Sequence, residues 1–95
     1  MEHFFIVTYD VANPKRWRRV FRLMNGYGEW LQLSVFQCRL SRTRAIQMRA
    51  DLQQAIRADE DHVLVIDLGP ADGIRSQVSS LGKTFEPIER KPTII

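Results

Sequence analysis

Ninety-five residues make a single domain, and a hydrophobic share of 44% excludes a disordered tail. The one cysteine, Cys38, excludes an intrachain disulfide and fits a reducing, cytoplasmic setting. The net charge of +3 is small, so its distribution carries the information: Lys15, Arg16, Arg18, Arg19 and Arg22 cluster without an acid, whereas Asp59, Glu60 and Asp61 gather elsewhere.

Met1-Glu2-His3-Phe4 is not a basic lead into a long apolar run, so neither a signal peptide nor a membrane span is expected. Residues 3–9 are apolar and β-prone, which predicts a strand. Asp10-Val11-Ala12-Asn13-Pro14 interrupts it; Asn13 is a good helix N-cap and Pro14 suits the first helical position. The helix that follows runs to about residue 25. Trp17, Val20, Phe21 and Met24 form its packing stripe. Lys15, Arg18, Arg19 and Arg22 repeat the same spacing out of phase, so a second face presents cations. Gly26-Tyr27-Gly28 ends it.

Residues 29–40 are β-prone but long for one strand. A break at 32–34 would give two, although no Asn-Gly or Asp-Gly marks a hairpin. Ser41 caps a second helix running to about residue 58, with Ala45, Met48, Leu52, Ala55 and Ile56 as its stripe. A strand over 62–68 is stopped by Gly69-Pro70. The tail holds Ile74, Val78 and Leu81, a turn at Gly82, and an apolar end at Ile94-Ile95.

This order predicts an α+β, ferredoxin-like βαββαβ sandwich with two helices on one face of a sheet. Phe4 and Ile6 oppose Phe5, Val7 and Tyr9; Val63 and Val65 oppose Leu64, Ile66 and Leu68. Strands apolar on both faces need cover on both, and two helices cover only one. A second copy of the chain is the simplest cover, so a homodimer is expected; the alternative is the chain's own tail folding back.

Asp10, at the end of the first strand and beside a cationic helix, is the first chemical candidate. As a carboxylate it can take Mg²⁺ with waters and phosphate oxygens; equally, it can be a turn residue that shapes the loop. Two copies of Asp10 meeting across a dyad would make a better metal site than one. Arg16, Arg18 and Arg19 could then grip a phosphodiester through forked hydrogen bonds. There is no Cys/His set with zinc spacing, no Walker loop and no RNA-recognition aromatic signature. His3 and His62 read as isolated surface residues, and Cys38, alternating with Phe36, as a small core residue.

Val7-Thr8-Tyr9-Asp10, the arginine-rich helix and Tyr27-Gly28-Glu29-Trp30-Leu31-Gln32-Leu33-Ser34-Val35-Phe36-Gln37-Cys38-Arg39-Leu40 together resemble the small CRISPR-associated adaptation protein family, the ferredoxin-like endonuclease partner of the spacer integrase. The likeness extends over nearly the whole chain. It implies a homodimer in which a core of residues 1–82 is followed by a C-terminal segment, 83–95, that adds a strand to the partner's sheet within 85–95. It implies Asp10 as the catalytic metal ligand for Mg²⁺, with Mn²⁺ as substitute, and matches the family's basic helix residues to Arg16, Arg18 and Arg19, to which the charge cluster adds Lys15 and Arg22 as nucleic-acid contacts. Tyr9, Ser34 and Phe36 match the family's supporting positions. Trp30 departs from the pattern, which has a polar residue such as arginine there. The implied function is endonucleolytic cleavage of RNA or DNA in spacer acquisition, by a dimer that also holds DNA with the integrase. A non-catalytic DNA-binding subunit of that complex is the first alternative, and an endoribonuclease toxin of related fold the second.

Overall fold

A computed structural model of the chain describes residues 1–72 and 79–82. The elements in chain order are β1 (Glu2–Asp10), α1 (Pro14–Asn25), β2 (Gly28–Gln32), β3 (Val35–Ser41), α2 (Arg42–Ala55) and β4 (His62–Pro70). Every neighbouring pair is antiparallel and the sheet order is β2-β3-β1-β4, the ferredoxin-like arrangement expected from the sequence. The expected C-terminal strand within 85–95 lies outside the described residues, as do Ile74 and Val78 of the tail.

Alternation along the strands decides what is buried. Phe5, Val7 and Tyr9 of β1 and Phe36, Cys38 and Leu40 of β3 face Val20, Phe21 and Met24 of α1 and Ala45, Met48, Leu52 and Ala55 of α2 in one core. Aromatic rings knit the α1 side: Trp17 stacks on Phe21 at 5.3 Å between centroids, and Phe21 meets Phe36 edge-on at 5.6 Å. On the opposite face Leu64, Ile66 and Leu68 remain 47%, 44% and 49% exposed. By the pleat, Phe4 and Ile6 share that face, since Ile6 pairs with Ile66.

Asn13 caps α1 as its sequence position implied, accepting from the Arg16 N–H at 3.0 Å, with Pro14 at the helix start. Two boundaries differ from expectation, and the break in 29–40 falls inside the expected 32–34. The second helix stops at Ala55 rather than near residue 58, because Ile56 turns to extended backbone (φ −107°, ψ 167°) and Asp61 organises the turn after it, accepting from the Arg57 N–H at 2.8 Å. The last strand continues through Gly69-Pro70 instead of stopping before them. Gly69 takes φ +100°, open only to glycine at low cost, and Pro70 lies beside His3 past a bulge, on a strand that is at the edge among the described residues. The break in 29–40 is a two-residue hairpin, Leu33-Ser34, made without glycine: Leu33 sits at φ 44° and is 75% exposed. Two indoles hold that turn. Trp30 Nε1 donates to the Leu33 carbonyl and Trp17 Nε1 to Ser34 Oγ, both at 2.9 Å.

Candidate nucleic-acid and metal site

β1 delivers Asp10 to one end of the sheet. Its cross-strand neighbour is His62, and the Tyr9 N–H donates to the Ser34 carbonyl at 3.1 Å, so the hairpin tip lies at the same end. Asp10 is exposed and its carboxylate makes no hydrogen bond or ion pair among the described residues. Tyr9 points the other way into the core, where burial pushes its phenol up and leaves its hydroxyl without a partner among the described residues. Ser34 takes the Trp17 indole bond, and Phe36 is fully buried beneath α1. Both therefore support the site's framework from behind.

Val11, Ala12 and Asn13 link Asp10 to α1, and buried Val11 pins that link to the core. Lys15, Arg18, Arg19 and Arg22 are exposed and have no acidic partner among the described residues. They fall on one face of α1, as their spacing required. A row of free guanidinium and ammonium groups of this kind suits successive phosphates on a polyanion.

Arg16 departs from the sequence expectation that grouped it with them. Its guanidinium turns to the α2–β4 turn and forks onto Asp61, with Nε to Oδ2 at 2.7 Å and Nη2 to Oδ1 at 3.3 Å, while Nη2 also reaches Glu60 Oε1 at 3.1 Å. The Arg16 and Asp61 side chains are only 15% and 1% exposed. The reason is packing: position 16 lies on the first turn of α1, against the start of β4 rather than on the solvent row. Two of the acids that the sequence placed apart from the basic cluster, Glu60 and Asp61, are thus the counter-charge of Arg16. His3 also proves not to be isolated, since its Nδ1 lies 2.9 Å from Asp67 Oδ1.

These contacts shift titration. The Arg16 fork, then the Arg57 N–H, hold the Asp61 carboxyl below its ordinary value of 3.8. The Gly69 N–H, then His3, do the same for Asp67. Folded-state values below the unfolded ones mean stabilisation that is fully present above about pH 4 and lost as acid protonates both groups. Denaturant midpoints should therefore hold from pH 7 to pH 5 and fall below pH 4. In Asp61→Asn the acid-side fall should be smaller, and an unchanged fall would remove Asp61 from the account.

No group of three or more His, Cys, Asp or Glu side chains is close enough to hold a metal ion among the described residues. One exposed carboxylate, that of Asp10, stands at this strand end. Asp10 fits the donor chemistry of Mg²⁺, which binds through one or two carboxylates and completes its shell with water and phosphate oxygens.

Comparison with known proteins gives a consistent picture. The family model for CRISPR-associated protein Cas2 matches residues 2–72. A protein of Geobacter sulfurreducens named CRISPR-associated endoribonuclease Cas2 is 56% identical over 95 residues, covering 100% of both chains. One of Rhodospirillum rubrum with the same name, numbered 1, is 55% identical over 94 residues, 99% of this chain and 92% of its own. Among solved structures, a crystal structure of Cas2 superposes with a TM-score of 0.75 at 30% identity, covering 95% of this chain and 98% of that one. Streptococcus pyogenes Cas2 at pH 6.5 gives 0.72 at 32% identity, covering 83% and 99%.

Proposed function

The chain belongs to the CRISPR-associated protein Cas2 family, and on that footing we propose that it is an endonuclease of spacer acquisition, acting as a homodimer with a divalent cation held by Asp10. The observation that carries the reading is the exposed, unengaged Asp10 carboxylate at a strand end that runs directly into a row of free cations. The relatives' name, endoribonuclease, makes RNA the first substrate to test.

The dimer is supported by the open sheet face. Leu64, Ile66 and Leu68 with Phe4 and Ile6 form a contiguous apolar surface that a soluble monomer rarely leaves bare. β4 is an edge strand among the described residues, so its outer edge and the apolar face beside it can both meet a second copy. Two copies supply two Asp10 carboxylates for one Mg²⁺, or Mn²⁺ in its place. The bound ion would supply Lewis acidity and a coordinated water for phosphodiester hydrolysis. Lys15, Arg18, Arg19 and Arg22 bind and orient the backbone phosphates. The same cations would let the dimer hold DNA beside the integrase, and that scaffolding role requires no Asp10 chemistry.

The deciding assay is cleavage of labelled single-stranded RNA and duplex DNA by the full chain with Mg²⁺ or Mn²⁺, and with EDTA. Cleavage that disappears in EDTA and returns with Mg²⁺ supports the nuclease. Cleavage indifferent to EDTA, or none on either substrate, leaves the nucleic-acid-holding subunit as the surviving function.

A further inference from the structure

The Arg16–Asp61 fork joins two segments that are 45 residues apart in sequence. One is the first turn of α1, which the link of Val11, Ala12 and Asn13 ties to Asp10. The other is the turn before His62, the residue directly across the ladder from Asp10. Asp10 is thus followed in sequence, and flanked across the sheet, by segments that meet through the one Arg16 guanidinium. Asp61 is fully engaged: Oδ2 accepts from Arg16 Nε and from the Arg57 N–H, and Oδ1 from Arg16 Nη2. No other contact among the described residues bonds the side chains of the α1 first turn to this turn, apart from the exposed arm to Glu60.

We infer that the Arg16–Asp61 pair is a positioning device that fixes the Asp10 end of β1 in register with β4 and aims its carboxylate for cation binding, so that Arg16 acts through Asp10 and does not grip phosphate. This rests on the reading of Asp10 as the cation ligand. The fork geometry explains why arginine stands there. A lysine carries the same charge, but it presents one compact ammonium and cannot bond both oxygens of Asp61 in a plane while also reaching Glu60. A phosphate-binding role would tolerate lysine, because a phosphate accepts a point charge readily. The two roles therefore part at Arg16→Lys.

The test is Mn²⁺ binding by isothermal titration calorimetry on the full-length chain without nucleic acid, together with the salt dependence of affinity for a labelled RNA. The variants are Asp10→Asn, Arg16→Lys, Arg16→Gln, Asp61→Asn and Arg18→Gln, each checked for its folded circular dichroism spectrum. Arg16→Lys and Asp61→Asn should each weaken Mn²⁺ binding about tenfold, as loss of a group that orients a metal ligand does elsewhere. Neither should alter the slope of log affinity for RNA against log salt. Arg18→Gln should leave Mn²⁺ binding alone and lower that slope by about 0.7, one phosphate contact on a single strand. Asp61→Asn is isosteric and still accepts from the Arg57 N–H, so it carries the test if Arg16→Lys does not fold. Should Asp10→Asn lose Mn²⁺ while Arg16→Lys and Asp61→Asn bind it like wild type, the positioning role is overturned and the Asp10 reading stands. Should wild type and Asp10→Asn bind Mn²⁺ equally, the Asp10 reading falls and takes this one with it. A slope lowered in Arg16→Gln as much as in Arg18→Gln would make Arg16 a phosphate contact after all.

Discussion

Asp10→Asn should abolish metal-dependent cleavage, by about a hundredfold or more, while the protein stays folded and still binds nucleic acid. Asparagine matches aspartate in shape but brings no negative charge to a cation. The carboxylate makes no internal contact among the described residues, so its loss should change folding stability by under about 0.5 kcal/mol. Affinity for RNA should hold or rise slightly, since an acid near Lys15, Arg18 and Arg19 opposes a polyanion. Measurement needs single-turnover cleavage and a filter-binding titration on the same preparation. Equal cleavage by both proteins would show that the activity belongs elsewhere or to a contaminant. Loss of binding together with cleavage would mean that Asp10 shapes the α1 link and is not a ligand.

Gly28→Ala should cost about 3 kcal/mol of folding free energy, a large part of what a domain this size possesses. Gly28 pairs with Cys38 across β2 and β3. A Cβ at position 28 would run into the Gln37 carbonyl oxygen and the Cys38 sulfur. The first is backbone in a ladder and the second is packed in the core, so neither can step aside. The conflict is resolved only by parting β2 from β3, which also loosens Trp30 and through it the Leu33-Ser34 turn. Gly26→Ala is the matched control: its Cβ would stand 3.3 Å from the Leu23 carbonyl, at an ordinary helical φ of −79°. The urea midpoint should fall sharply for the first variant and hardly move for the second. Similar midpoints would mean that the β2–β3 contact is softer than its geometry indicates.

How much of this was legible in the sequence depended on the range of the interaction. The α1 helix, its Asn13 cap and its cationic row follow from residues within a few positions of one another, and all are found where the spacing put them. The two-faced apolar character of β1 and β4 was equally local. The Leu33-Ser34 break was legible in place, inside 32–34, but not in kind, because its turn is held by indole donors from Trp17 and Trp30 and not by a glycine that announces it. Leu33 at positive φ is affordable only with those side chains in place. The true role of Asp61 was hidden for the same reason. Its partner lies on the far side of the chain, and a run of three acids reads as solvated surface. The one available signal was position: an acid immediately before an apolar strand is well placed to cap the turn that starts it.

Cys38 has a practical consequence. It is 2% exposed, wedged under Gly28, and burial pushes its thiol up to about 12. Almost none of it is thiolate at neutral pH, and no reagent can reach it while β2 and β3 stay paired. The protein therefore carries one silent sulfhydryl that becomes chemically visible only when the sheet opens. The rate at which a disulfide dye modifies it, measured in water without denaturant, becomes a clock for that opening, and can be read from the wild-type chain with nothing engineered into it.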